Sequence, residues 1–195
     1  SLKRVQKSGA RFDEKRLLWL NGAHIRNVPV DRLYDYVSPQ DDNPQKDGGQ
    51  TGFWPESAYA PNITKEYRMK VLALAQDRLK MFEDLHGFGY FFAEPEINLE
   101  LIDGNKQLKK LSDSERRELL ETTRHELAKL AGWTPESIQN CLNELLETTG
   151  QKPGILFSLI RIAVTWTPFS PQLNDTLALI GQEKTLRRLD AYLDN

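Results

Sequence analysis

Two arginines stand among apolar residues, where a charge is costly. The chemistry they could do is to hold an anion or the acceptor edge of a base. The first is Arg78. From Ile63 to Leu85 the sequence has the periodicity of an amphipathic helix. At about 100° per residue, Met81, Leu74, Leu85, Val71, Phe82, Ala75, Leu79 and Leu72 fall on one half. Glu83, Gln76, Lys80, Asp84, Asp77 and Lys70 fall on the other. Arg78 projects between Leu85 and Val71, at the centre of the apolar half. It then either snorkels to the edge, pairs with a carboxylate, or holds its planar fork out for a ligand.

The second is Arg161, the only charge between Lys152 and Asp175, in a segment apolar nearly all round. That segment runs into Thr165-Trp166-Thr167-Pro168-Phe169-Ser170-Pro171. Here a loop meets a helix start, whose unpaired backbone N–H groups suit a phosphate or a base edge. The competing reading pairs both arginines with acids of the 94–147 block.

Other chemistry is missing from the pattern. His24, His86 and His125 are far apart and lack the spacing of metal ligands, so no metal site is expected. His125, beside Glu126, falls on a polar helix face. No Cys–His pair, Gly-x-Ser-x-Gly elbow or P-loop is present. The pair Gly87 and Gly89 does not complete a Gly-x-Gly-x-x-Gly and follows no strand, so it reads as a helix stop with the following aromatics folded into the core. The carboxylates of 94–147 scatter as solvated helix faces. Without a visible catalytic site, catalytic residues are expected to be none, and the weight moves to a binding module.

Charge permits that module to bind nucleic acid. The 195 residues hold 26 Lys+Arg and 28 Asp+Glu, a net charge of −2. Residues 1–37 nonetheless carry a balance of +4, and 94–147 a balance of −5. Local basic patches, not net charge, steer phosphates. The single Cys141 excludes an internal disulfide and suits a reducing compartment. No apolar run approaches the ~20 residues that span a bilayer, and no signal peptide is seen, so no membrane partner is expected. The start at Ser1 suggests a piece of a longer protein.

The elements that position these groups read as all-α. Asp13 caps a first helix, with a Phe12–Leu17 staple across it; this helix is expected to stop at Asn21-Gly22. Asp31 caps a short second one, packed through Leu33, Tyr34 and Val37. Residues 38–62 read as a linker whose Phe53, Trp54 and Tyr59 are pinned to the surface. After the helix from Ile63 to Leu85, a Ser112–Glu115 capping box, Thr134-Pro135, Pro153 and Ser170-Pro171 each open a helix. Gly150 and Gly181 close two of them. Leu186, Leu189 and Leu193 mark the last. The expected division is 1–62 and 63–195, the latter separable near 105/106.

Three stretches resemble the glutamyl-tRNA synthetase family. Phe12-Asp13-Glu14-Lys15-Arg16-Leu17-Leu18-Trp19-Leu20-Asn21-Gly22 with Ile25-Arg26 is similar to the segment downstream of the class I signature loop, as is Leu2 to Ala10. Asp77-Arg78-Leu79-Lys80 with Tyr90-Phe91-Phe92 is the second. Leu159 to Thr165, Ser170-Pro171 and Leu179 to Leu189 form the third. The resemblance implies the C-terminal portion of a bacterial-type enzyme: a helical stem-contact region, then an α-helical anticodon-binding cage. In that family the arginine matching Arg78 reads the third anticodon base, a cytosine. A cytosine's O2 and N3 acceptors suit a guanidinium fork.

The positions matching Arg161, Thr165, Ser170, Pro171 and Leu173 lie against the anticodon loop. Trp166 and Phe169 are candidate stacking platforms. Lys7, Arg11, Lys15 and Arg26 are candidates for stem phosphates. Trp166 stands where the family has glycine, and Ser170 replaces a threonine. The implied partner is glutamate tRNA, bound by a cytoplasmic monomer. The ATP-binding motifs are absent, so this portion needs no cofactor, whereas the whole enzyme uses ATP and Mg. Two alternatives remain: a helical protein-interaction module without RNA, and an enzyme with relaxed tRNA choice.

Overall fold

In the computed structural model, residues 13–38 and 52–194 are described, and among them there is no strand. Helix α1 covers Glu14–Asn27, and Asp13 caps it by accepting from Arg16 N at 3.1 Å. The Phe12 half of the expected staple lies outside the described residues. The helix does not stop at Asn21-Gly22 but continues one and a half turns further. The reason is non-local. Gly22 faces the backbone of Leu79 and Lys80, where a Cβ would lie 3.1 Å from Leu79 O. Beside it, Asn21 Nδ2 donates to Lys80 O at 2.5 Å. Glycine is present here for close approach.

Helix α2, Val30–Val37, starts after Pro29, so Asp31 sits in its first turn and is not its cap. There its charge favours the positive end of the helix dipole. Leu33, Tyr34 and Val37 are buried. Of the linker, 39–51 lies outside the described residues. Its second half goes deeper than a surface attachment. Trp54 is 1% exposed and donates through Nε1 to Ser38 Oγ at 2.7 Å. Its ring meets Phe92 edge-on, centroids 5.6 Å apart.

The continuous helix expected from Ile63 to Leu85 is broken. Thr64 caps α3, Lys65–Ala75. The chain then tightens into a 3-10 turn, Gln76–Arg78, and becomes extended at Leu79. A further 3-10 run, Phe82–Phe91, kinked at Phe88, carries Gly87 and Gly89 within it, not as a stop. Two competing sets of bonds make the break. The Asp84 carboxylate accepts from Lys80 N at 2.7 Å and Met81 N at 3.0 Å, the local alternative that Asp offers a helix backbone. Gln76 Nε2 reaches across to Ile25 O and Val28 O at 2.8 and 2.7 Å, satisfying carbonyls at the end of α1. Leu79, Leu85, Phe88, Tyr90, Phe91 and Phe92 are buried as expected. Arg78 turns outward.

The rest follows its local signals. After a short α4, Glu100–Asp103, helix α5 spans Asp113–Ala128 with the Ser112–Glu115 capping box in place. Helix α6, Pro135–Thr149, ends on Gly150 at φ 65°. Helix α7, Pro153–Thr165, is the central one: seven of its residues are buried, Leu156 through Thr165. Helix α8, Leu173–Ile180, begins two residues later than Ser170-Pro171 implied, with Gln172 as its cap residue. Helix α9, Gln182–Leu193, closes the bundle by packing on α5 and α7. Helix α6 lies against α5 and α8, and α3 against α8. Cys141 is buried in α6, where burial pushes its thiol up to about 11.

Candidate nucleic-acid interface

The end of α7 builds the first part of the site. Arg161 is half-buried and donates from Nε to Ser170 Oγ at 2.8 Å. Ser170 Oγ in turn donates to Pro171 O at 2.9 Å. The two remaining guanidinium nitrogens have no partner among the described residues, and no carboxylate lies within 4.0 Å. Burial lowers the pKa of this guanidinium, Tyr90 opposes that, and the like charge of Arg78 adds to the lowering. Arg78, exposed on the 3-10 turn, likewise has no hydrogen bond or ion pair among the described residues. The fold therefore brings two cations from distant segments within reach of each other's field and supplies no acid to either.

Several acids of the 94–147 block are engaged elsewhere. Glu94 holds Arg187 and Arg188, Asp103 holds Arg116, and Glu126 holds Lys129. Pairing of Arg78 and Arg161 with these acids is thus not what the fold does. Nor does Arg78 sit on a buried apolar face: that helix does not exist at residue 78.

A hydrogen-bonded turn links α7 to α8. Thr165 Oγ1 donates to Arg161 O at 2.7 Å, and Thr167 N donates to Thr165 Oγ1 at 3.3 Å. Thr167 Oγ1 then donates to Phe169 O at 2.8 Å. Trp166 adopts a left-handed conformation, φ 49°, that favours glycine. Its ring is 7% exposed and stacks on Tyr192 with centroids 6.0 Å apart. The Trp166 ring is thus largely covered within the fold, whereas Phe169 stands 83% exposed at the tip of the turn. Thr165, Ser170, Pro171 and Leu173 are buried, and of these Ser170 holds the Arg161 guanidinium.

Beside this turn opens a cavity of about 500 Å³ walled by His86, Tyr90, Glu96, Asn98, Thr165 and Thr167 among others. A separate cleft of about 400 Å³ near the start of α5 is lined by Glu115 and Glu118 and would repel phosphate. On α1, Lys15 and Arg26 are exposed on one face, three turns apart. Lys7 and Arg11 lie outside the described residues.

Sequence reasoning missed Arg188. It is 3% exposed and donates to Glu94 Oε2 at 2.9 Å, Val164 O at 3.1 Å, Tyr90 O at 2.9 Å and Ala93 O at 3.1 Å. This clasp fixes the segment bearing Tyr90 against the end of α7, and so holds the site together. A signal existed: Arg188 shares a helical face with Thr185, Leu189 and Tyr192. Among the described residues no His, Cys, Asp and Glu grouping could hold a metal ion, and no helix is long and apolar enough to cross a membrane.

Two arginines without acidic partners on an all-helical bundle fit a module that binds anions or RNA, and comparison with known proteins gives the family. The model described as "Anticodon binding domain" matches residues 32–193, and the chain belongs to that family. A glutamate–tRNA ligase from Roseiflexus castenholzii is 33% identical over 99% of this chain and 36% of its own length. One from Roseiflexus sp. is 34% identical over 98% of this chain, again 36% of its own length. The chain thus spans little more than a third of these relatives, matching their C-terminal part. A solved glutamate tRNA ligase from Elizabethkingia meningosepticum, at 20% identity, has the same fold over 100% of this chain and 35% of its own, with a TM-score of 0.69.

Proposed function

We propose that the chain recognises the anticodon loop of glutamate tRNA as the C-terminal part of a glutamate–tRNA ligase. The observation that carries this reading is the pair Arg78 and Arg161, free of acidic partners on one face of an anticodon-binding bundle. In it, Arg78 donates to O2 and N3 of the third anticodon base, a cytosine, and Phe169 stacks on an unpaired base. Arg161, held by Ser170, meets the loop near the first base. Residues 1–62 form the stem-side part, where Lys7, Arg11, Lys15 and Arg26 neutralise phosphates. Residues 63–195 form the anticodon-side part. The whole protein attaches glutamate to tRNA with ATP and Mg in the cytoplasm, as a monomer.

The test is a filter-binding titration against glutamate tRNA and a copy carrying guanine at the third anticodon position. Wild type is expected to prefer cytosine, and binding to weaken steeply with salt as phosphate counterions are released. Arg78→Gln is expected to lose about tenfold of that preference, the worth of one charged donor pair. Equal discrimination by wild type and variant rejects the role given to Arg78. A helical protein-interaction module would bind neither RNA.

A further inference from the structure

One bulky residue stands where the backbone favours glycine. Among the described residues Trp166 is the only non-glycine with positive φ, at φ 49° and ψ 35°. Glycine occupies this region freely, whereas a Cβ and a large ring make it costly. Such a conformation persists only where the surroundings hold it, and here the ring does the holding. It is 7% exposed and stacks on Tyr192, 3% exposed, with centroids 6.0 Å apart and planes 22° from parallel.

Tyr192 is a firm support. It belongs to the last turn of α9, which α5 grips at two places. Arg124 donates to the Asp190 carboxylate at 2.6 and 3.1 Å, and Arg117 donates to Leu193 O. Arg188 also ties α9 to Val164 O, but that bond ends before the turn begins. Within the turn Thr167 is half-buried and Pro168 and Phe169 are exposed, and the hydrogen bonds of Thr165 and Thr167 close the turn on itself. At its far end Ser170 accepts from Arg161, itself one of the two cations assigned to the RNA. Trp166 ties the turn to a different helix.

We infer that Trp166 is a positioning residue: its stack on Tyr192 fixes the 167–169 turn in advance of RNA, so that Phe169 meets an unpaired base in one orientation. Ordering a loop beforehand removes a cost that binding otherwise carries. The inference rests on the proposal that this face binds an anticodon loop and that Phe169 stacks on a base there. It makes the end of α9 a determinant of affinity for that base.

The test is a double-mutant cycle between residues 192 and 169, read as affinity of the 195-residue chain for the anticodon stem-loop of glutamate tRNA. Tyr192→Leu removes the supporting ring and leaves the sequence of the turn intact; Phe169→Ala removes the platform. Titrations are run well below the melting temperature of every variant, where a loss of stability alone leaves affinity unchanged. Phe169→Ala is expected to weaken binding roughly tenfold in the wild-type background, and about twofold or less in Tyr192→Leu, where the platform is already misplaced. Trp166→Leu is expected to lose affinity as Tyr192→Leu does, and Trp166→Phe, which restores a ring to the stack, to recover most of it. Should Tyr192→Leu fail to fold, Trp166→Leu takes its place in the cycle. The preference for cytosine at the third anticodon position, assigned to Arg78, is expected to survive in both. Its loss marks a general structural role and overturns the inference. So do equal losses from Phe169→Ala in the two backgrounds, or wild-type affinity in Tyr192→Leu. A Phe169→Ala variant that binds as wild type removes Phe169 from the reading, and this inference with it. A wild type that does not bind the stem-loop overturns the anticodon reading itself.

Discussion

Arg188 and Arg161 are a helix apart in sequence and both lie near the end of α7, yet the fold treats them in opposite ways. Around Arg188 it supplies a carboxylate and three carbonyls, so every face of the guanidinium is met. Arg68 is handled similarly: buried, it donates to Tyr34 Oη at 2.7 Å and Ala58 O at 3.1 Å. Arg161 receives one serine hydroxyl and a like charge for a neighbour. A chain able to satisfy two buried guanidiniums internally has left this one, and Arg78, without acids. What separates a structural cation from a candidate for holding a ligand is therefore the partner set, and burial alone does not decide it.

Substitutions that keep bulk and remove charge should break that contrast if it is false. Arg188→Met is expected to destabilise the fold by about 3 kcal/mol, because it strands a carboxylate and three carbonyls. In a domain this size the melting temperature should fall by roughly 6–12 °C, read by calorimetry. Arg161→Met should leave stability within about 1 kcal/mol and weaken binding to glutamate tRNA about tenfold or more. Should Arg161→Met melt as low as Arg188→Met while binding normally, Arg161 is a structural residue.

A smaller effect sharpens the Arg188 side. Burial alone would raise the Glu94 carboxyl, but hydrogen bonds from Arg188 and Arg187 outweigh it and hold the carboxyl below its usual 4.5. A depressed carboxylate contributes stability that is present above its unfolded pKa and is lost as pH falls through the folded one. Glu94 is half exposed, so the contribution is modest, about 1 kcal/mol. Wild type should therefore exceed Glu94→Gln in denaturant stability at pH 6 to 7, and the gap should close on acidification below 4.5. A gap that persists unchanged at low pH would mean that the charge of Glu94 is not what holds Arg188.

The helix ends of the C-terminal half were legible because their causes are local. Ser112–Glu115, Thr134-Pro135 and Gly150 act within one turn, and each acted as its chemistry predicts. The segment bearing Arg78 was not legible. A periodicity of apolar residues persists from Ile63 to Leu85, but the backbone there answers to Gln76, bonded to carbonyls about 50 positions earlier. The wheel therefore placed Arg78 on a buried face, whereas it stands exposed on a tight turn. Its place in the site rests on what surrounds it in space. Arg188 was overlooked for a related reason: Lys184, Arg187 and Asp190 around it give the segment an ordinary polar look. Tyr90 reads in the sequence only as part of an aromatic run, Tyr90-Phe91-Phe92.

The smallest effect tests the cause of that misreading. Helix propensity alone would have Gly22→Ala, in the interior of α1, stabilise by about 1 kcal/mol. The structure requires the opposite sign. A Cβ at residue 22 would meet Leu79 O at 3.1 Å, and Arg26 Nη1 at 3.3 Å. The first of these is backbone, fixed by the adjacent Asn21–Lys80 bond, so α1 and the 79–80 segment would have to separate. Gly22→Ala is thus expected to cost about 0.5–1 kcal/mol net, the loss of close approach exceeding the helix gain. Because residues 79–80 directly follow the turn that presents Arg78, the same variant should also blunt the preference for cytosine at the third anticodon position. A stabilised Gly22→Ala with wild-type discrimination would show that α1 does not set the position of Arg78.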